Sequence, residues 1–150
     1  MNDLAQRLYQ HCTQFPADLL ALSENALHAR PAPGKWSKKE IIGHLVDSAS
    51  NNHQRFVRAM RGEQPNIRYE QDDWVALQRY QNTDSRALIG LWELYNRHLA
   101  HLISCMTEAD LEQTLYMGGE RVTLRYCAED YLRHLEHHLQ QAGIYSTTKP

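Results

Sequence analysis

The chain of 150 residues has 16 basic and 18 acidic side chains, and its net charge is −2 with the histidines neutral. This balance lacks the basic surface that nucleic acids require, so we expect no nucleic-acid partner. The length is that of one ordinary domain, and we expect residues 1–150 to form a single domain. The N-terminus lacks the pattern of a signal peptide, no apolar run approaches a membrane span, and the three cysteines form no disulfide framework. We therefore expect a cytoplasmic protein without a membrane partner.

The first two segments with helical periodicity precede Gly62. One covers about Asn2 to Leu22, where Pro16 predicts a kink or a new first turn. The other opens on a capping box, Ser37-Lys38-Lys39-Glu40, in which serine and glutamate side chains satisfy amides of the first helical turn. We expect this second helix to run to about Arg61 and to stop before the glycine.

Later segments predict two more long helices. Asp72 to Gln81 predicts a short helix, and a long one starts near Thr83-Asp84 with apolar residues three and four positions apart. The last helix starts near Thr123, a good N-cap, and ends at Gly143. Leu111 to Val122 is the one stretch that predicts a hairpin, around its paired glycines. Four long amphipathic helices predict an all-α four-helix bundle, and the long connection between the second and third leaves their order open.

The last predicted helix carries His134, His137 and His138. Histidines four positions apart project from one face with Cβ atoms about 5–6 Å apart, which lets two imidazoles reach one metal ion. Only His134 and His138 have that spacing. They lie roughly 100° and 60° from the centre of the apolar stripe, on the same side, whereas His137 lies roughly 160° away and should face water. The alternative is a pair of boundary histidines that donate to backbone or carboxylate groups. The pattern does not match the zinc-protease motif.

A third metal ligand has to come from another helix. The second long helix offers His44 and His53, and the third offers His98 and His101. Periodicity does not choose among these four residues. His44 and His98 lie on shoulders of their helices, His53 lies nearer the apolar stripe, and His101 points away.

Two motifs resemble the DinB-like, YfiT-type family of helical proteins. The segment Trp36 to Asp47 is a Trp-Ser pair that opens a helix with a His-Leu pair and a nearby Asp, and His134 to Gln141 reads H-x-x-x-H-x-x-Q. The resemblance implies a four-helix bundle with a long crossover connection. It also implies a mononuclear site formed by His44, His134 and His138, and a homodimer.

Other residues acquire candidate roles from the same resemblance. Asp47 lies one turn after His44, and Gln141 lies one turn after His138. Either side chain could orient a ligand or hold a bound water, with Asn51 as a further candidate near the site. The alternative is that they are ordinary polar residues on the surface.

Three imidazoles leave at least one coordination position open, which is typical of catalytic rather than structural sites. Imidazole suits zinc or nickel, so we expect one divalent ion, with ferrous iron and manganese as alternatives. Such an ion lowers the pKa of a bound water or thiol and turns it into a nucleophile.

The resemblance implies a metal-dependent transferase that joins a small-molecule thiol to an electrophile. For this activity Arg55, Asn51 and Tyr131 are candidate donors to the thiol's polar tail. One alternative is a metal-dependent hydrolase, for which Asp47 is the nearest candidate base. The other is a metal-binding stress protein without catalysis, in which a side chain would block the open position.

Overall fold

The computed structural model describes residues 1–143, and helices dominate this part of the chain. The helices are α1 (Asn2–Leu20), α2 (Glu24–His28), α3 (Lys38–Met60), α4 (Gln71–Gln78), α5 (Ser85–Ser104), α6 (Glu108–Leu111) and α7 (Leu124–Gln141). A 3₁₀ turn (Tyr80–Asn82) follows α4, and a hairpin of β1 (Thr114–Met117) and β2 (Glu120–Thr123) precedes α7.

The four long helices α1, α3, α5 and α7 form the bundle. Helix α1 packs mainly on α5, and α3 packs on both α5 and α7, while α7 also contacts α1. Helices α1 and α3, consecutive among the four, are therefore not principal neighbours. The chain crosses the bundle between them, as the predicted crossover topology requires. This arrangement confirms the all-α four-helix bundle.

Helix α3 begins at the predicted capping box. The Ser37 hydroxyl accepts from the Glu40 amide at 3.1 Å, and the Glu40 carboxylate accepts from the Ser37 amide at 2.8 Å. That carboxylate also pairs with the Arg30 guanidinium. These contacts set the first turn of the helix that carries His44, so they determine where the histidine enters the bundle.

The hairpin leads directly into α7. Thr123 is both the last residue of β2 and the N-cap of α7, where its side chain accepts from the Tyr126 amide. The strands are antiparallel, with Met117 opposite Glu120 across the two glycines. The predicted hairpin and the predicted start of the last helix are therefore both confirmed. Helix α7 ends at Gln141, two residues before Gly143, which adopts a left-handed conformation with φ 68°.

Some boundaries differ from the sequence prediction. Helix α1 continues through Pro16, so no new helix begins there. The short helices α2 and α6 were not predicted, because four or five residues are too few to show a 3.6-residue period. The homodimer stays a prediction. Leu91 and Leu94 of α5 are exposed apolar residues of the kind that a dimer interface would cover. Within residues 1–143, no helix combines the length and apolar character needed to span a bilayer.

Candidate metal centre

Three imidazoles from α3 and α7 converge at one point. The Nε2 atom of His134 lies 3.2 Å from Nε2 of His44 and 3.1 Å from Nε2 of His138. One nitrogen from each of the three rings lies within 4.8 Å of the other two. Tetrahedral coordination with metal–nitrogen distances of about 2.0–2.1 Å requires nitrogens about 3.3 Å apart. The three rings are therefore close to the spacing of a shared metal ion.

The two helices supply the histidines in different ways. His134 and His138 lie on successive turns of α7 and share one face because they are four residues apart. His44 lies near the second turn of α3, and the packing of α3 on α7 brings it to that face. His137 is exposed, as its position on the helix predicts, whereas His138 is buried and His134 is half-buried.

Burial keeps these imidazoles neutral at physiological pH. Desolvation, together with the neighbouring histidines, lowers the pKa of His44 to about 3. Desolvation and the neighbouring His138 lower the pKa of His134 to about 4, and desolvation also lowers the pKa of His138. A neutral imidazole is the form that coordinates a metal, so no proton has to leave these rings when a cation arrives near pH 7.

Gln141 orients the His138 ring. The Nδ1–H group of His138 donates a hydrogen bond to the Gln141 side-chain oxygen, with the two heavy atoms 2.9 Å apart. This bond fixes the tautomer in which the Nε2 lone pair faces the other two histidines. The Nδ1 atoms of His44 and His134 are buried and have no protein partner within residues 1–143. Packing rather than hydrogen bonding must therefore orient those two rings.

Trp36 provides part of that packing. Its ring centroid lies 4.9 Å from that of His44 and 6.2 Å from that of His138, with tilted planes. Trp36 precedes the α3 N-cap by one residue, so the capping box also positions the indole against the site. The sequence motif contains this tryptophan, but its role as a wall of the site depends on packing between helices.

Asp47 is anchored away from water. It is 3% exposed, and its Oδ1 atom accepts from Gln78 Nε2 and from Tyr80 OH, each at 2.6 Å. Burial raises the pKa of the Asp47 carboxyl, while its two hydrogen bonds oppose the rise. Its Oδ2 atom is buried without a protein partner within residues 1–143. Asp47 thus links α3 to the end of α4 and to the 3₁₀ turn that follows, and its predicted roles as base or ligand-orienting group stay predictions.

Tyr80 can approach Asp47 because residue 43 is glycine. A Cβ atom on Gly43 would lie 2.1 Å from Cδ2 of the Tyr80 ring. The aromatic ring therefore packs directly on the α3 backbone, one residue before His44. No sequence pattern indicated this contact.

The other predicted residues occupy different positions. The amide of Asn51 donates to the Asp47 carbonyl oxygen at 2.9 Å and is buried. His53 contacts Tyr95 through Nδ1 at 3.2 Å and stacks edge-on with His98, away from the three-histidine cluster. His101 is exposed on α5.

His11 and His28, the two histidines nearest the N-terminus, lie outside the three-histidine cluster and have other partners. His11 Nε2 lies 2.9 Å from the Glu136 carboxylate of α7, and His28 Nε2 lies 3.2 Å from Lys39 Nζ. These two contacts join different elements, whereas His28 Nε2 also lies 3.3 Å from the Glu24 carboxylate one turn earlier on α2.

A cavity of about 620 Å³ opens beside His134. It is lined by polar side chains from α3, α7 and the segment that leads into α4, including Ser48, Arg55, Tyr69, Asp130, Tyr131 and His134. The Tyr131 hydroxyl donates to Asn96 in the core at 2.5 Å, so this tyrosine presents its ring rather than its hydroxyl. Such a volume accommodates a small molecule.

The residues fit a divalent cation. The three Nε2 atoms lie close to the spacing that tetrahedral coordination requires, and the lowered pKa values of all three rings favour the neutral form that coordinates a metal. The donor set of three nitrogens suits a transition metal rather than calcium or magnesium, which prefer oxygen ligands.

Comparisons with known proteins show the family of the chain and agree with its fold. The family model of the DinB superfamily matches residues 7–142. A Bacillus licheniformis protein named a "Putative metal-dependent hydrolase" is 30% identical over 121 residues, covering 79% of this chain and 69% of the relative. The Bacillus subtilis protein "Putative metal-dependent hydrolase YfiT" is 29% identical over 122 residues, covering 79% and 68%.

Two solved structures share the architecture. The YfiT structure from Bacillus subtilis, described as having "an unusual four-helix bundle topology", superposes with a TM-score of 0.85 at 22% identity and covers 94% of this chain and 82% of its own. A mycothiol-dependent maleylpyruvate isomerase superposes with a TM-score of 0.73 at 16% identity, covering 92% and 57%. At these identities the likeness shows the fold alone.

Proposed function

The chain belongs to the DinB superfamily, and we propose that it is a metal-dependent enzyme whose single divalent ion is held by His44, His134 and His138. The observation that carries the proposal is the convergence of the three Nε2 atoms beside an open cavity. Zinc or nickel is the proposed ion, because imidazole suits both. When bound, it supplies a Lewis acid that lowers the pKa of a coordinated thiol or water.

The preferred reaction is the transfer of a small-molecule thiol to an electrophile. Three neutral ligands leave the ion's double charge uncompensated, which favours a thiolate over a neutral donor. The cavity beside His134 offers room for the thiol's tail, and Arg55 lines it. Trp36 packs against the His44 ring, which is fully buried. A structural neighbour that is mycothiol-dependent supports a thiol as co-substrate.

A fluorogenic assay tests this reaction. The zinc- or nickel-loaded protein is mixed with cysteine or glutathione and monochlorobimane, whose chloride leaves as the carbon–sulfur bond forms and the thiol proton passes to solvent. We expect conjugation above the uncatalysed rate, and loss of that excess in His138→Ala. His137→Ala, exposed on the same helix, is the matched control and should keep it. Equal rates with and without the protein for every thiol would contradict the transferase.

A hydrolase is the second candidate, and one observation favours it. Asp130 lines the same cavity one turn before His134, and its carboxylate is close enough to oppose the lowering of the His134 pKa. It could accept a proton from a water that attacks an ester or amide carbonyl. The names of the two Bacillus relatives agree with this chemistry.

Two variants separate the candidates. Asp130→Asn should abolish ester hydrolysis and leave thiol conjugation within about twofold, if the carboxylate acts only as a base for water. Asp47→Asn tests the other predicted base, since an amide oxygen still accepts from Tyr80 and preserves the fold. Hydrolysis of p-nitrophenyl esters that depends on Asp130 and on the metal would establish the hydrolase in place of the transferase.

A further inference from the structure

Arg55 differs from the other partly buried arginines. Arg97 pairs with Glu93, and Arg125 pairs with Glu108. Arg55 is also half-buried, yet within residues 1–143 it forms no ion pair with a carboxylate. A guanidinium withdrawn from water usually requires an anion nearby, because its charge costs free energy when it is desolvated.

Neutral groups hold this guanidinium in place. Its Nη1 atom donates to the Asn52 side-chain oxygen at 3.2 Å, and its Nη2 atom donates to the Ile67 carbonyl oxygen at 2.7 Å. A guanidinium has five N–H donors, so these two bonds leave three. One of the remaining donors, Nε–H, is buried without a protein partner within residues 1–143. Arg55 is therefore a cation held by two hydrogen bonds to neutral groups, and it retains N–H donors for a ligand.

The position of Arg55 connects it to the candidate metal centre. It lines the 620 Å³ cavity together with His134, and its charge contributes to lowering the His134 pKa. The cavity's Asp130 is paired with Arg133 instead. Glu70, Asp72 and Asp73 also line the cavity, but they are exposed, so water and salt screen them.

From this arrangement we infer that the substrate of the metal centre carries a carboxylate, which binds to Arg55 and so fixes the substrate beside His134. Calling this ligand a substrate rests on the proposed function. Its binding to Arg55, however, does not require the metal. A carboxylate supplies two acceptor oxygens that match the guanidinium fork. It also meets less repulsion from the exposed acidic side chains than a doubly charged phosphate would. Arg55 is thus a specificity-determining residue.

Succinate and its neutral analogue succinamide provide matched probes. They are titrated into the zinc-loaded, ¹⁵N-labelled protein while the Arg55 Nε–H signal is followed by NMR, with Arg55→Lys used to assign the signal. We expect succinate to shift this signal and succinamide to leave it unchanged. Calorimetry should give about 10–100-fold weaker succinate binding for Arg55→Gln, the range for charge-assisted hydrogen bonds. Arg86→Gln, an exposed arginine on α5, is the control and should bind as the wild type does.

The His44→Ala variant separates this inference from the proposed function. Binding of succinate that persists in His44→Ala and still depends on Arg55 would support the inference even if the metal site fails. Binding that disappears in His44→Ala but is unchanged in Arg55→Gln would place the carboxylate on the metal and overturn it. Absence of succinate binding to the wild type, or tighter binding of inorganic phosphate than of succinate at the same Arg55 signal, would also overturn it.

Discussion

The Nε2 atoms of His44 and His134 lie 3.2 Å apart although 90 positions separate the two residues in the chain. Among residues 1–143 neither ring has a hydrogen-bond partner at Nδ1, so the contact depends on how α3 and α7 pack and on the tryptophan against His44. The site is thus a product of helix packing. This dependence leads to predictions about residues that would not themselves touch the ion.

Trp36 should determine how well His44 is oriented. Replacing the indole by alanine removes the ring 4.9 Å from His44 and leaves the imidazole free to rotate, so Trp36→Ala should weaken metal binding about 10–100-fold, as is usual for groups that orient a ligand. Trp36→Phe retains an aromatic wall and should lose less than tenfold. Competition with a chelating dye measures both. Equal affinity in Trp36→Ala and the wild type would show that the ring does not orient the histidine.

Gln141 should act through the tautomer of His138. In Gln141→Ala the Nδ1 proton loses its acceptor at 2.9 Å, so the proton can move to Nε2 and block coordination. Metal affinity should fall about tenfold or more. Gln141→Glu restores an acceptor and should recover it, whereas Gln140→Ala on the neighbouring exposed position should have no effect. A loss in Gln140→Ala as large as in Gln141→Ala would point to a general effect on the end of α7.

Gly43 should be intolerant of a side chain because of Tyr80. A Cβ atom would lie 2.1 Å from the Tyr80 ring, so Gly43→Ala should destabilise the fold by about 1–3 kcal/mol in urea denaturation. Gly90→Ala is the matched control, since no atom of residues 1–143 lies within 4 Å of a Cβ there, and a helical alanine should stabilise by about 0.5–1 kcal/mol. In a Tyr80→Ala background the cost of Gly43→Ala should largely disappear. If Gly43→Ala destabilises the Tyr80→Ala protein as much as the wild type, the destabilisation does not come from contact with the Tyr80 ring.

Glu40 should make stability depend on acid pH. Burial raises the pKa of the Glu40 carboxyl, but the hydrogen bonds from Arg30 and Ser37 and the charge of Arg30 outweigh that effect, so the folded-state pKa is lowered. The unfolded chain therefore binds the proton more tightly than the folded chain does. The stabilisation is complete above the unfolded value of 4.5 and is lost as pH falls through the folded-state pKa.

Glu40→Gln isolates that effect. The difference in unfolding free energy between wild type and variant should be largest at pH 7 and should shrink as the pH falls toward 3. Protonation of the buried histidines also lowers stability in acid, but it acts on both proteins and cancels in the difference. If the difference in unfolding free energy does not change with pH, Glu40 stabilises the fold through packing and not through its charge.

Local patterns in the sequence predict much of this structure. The spacing of His134 and His138 and their angle to the apolar stripe place both rings on the inner shoulder of α7, with His137 outside. The choice of His44 over His53, His98 and His101 came from family resemblance. Periodicity describes one helix at a time, and that choice depends on how two helices cross.

The remaining features of the site depend on contacts between distant elements. Tyr80 and Gln78 reach Asp47 from the far side of a long connection, and His11 meets Glu136 from another helix. Sequence spacing contains no information about such pairs. Sequence spacing likewise does not show that Arg55 has no carboxylate partner within the part of the chain that the structure describes.

The most direct test of the account is the metal content of the purified protein, measured by inductively coupled plasma mass spectrometry. Wild type and His137→Ala should each carry close to one zinc or nickel ion per chain. His44→Ala and His138→Ala should lose most of it while remaining folded by circular dichroism. Full metal content in both of these variants would contradict the three-histidine site.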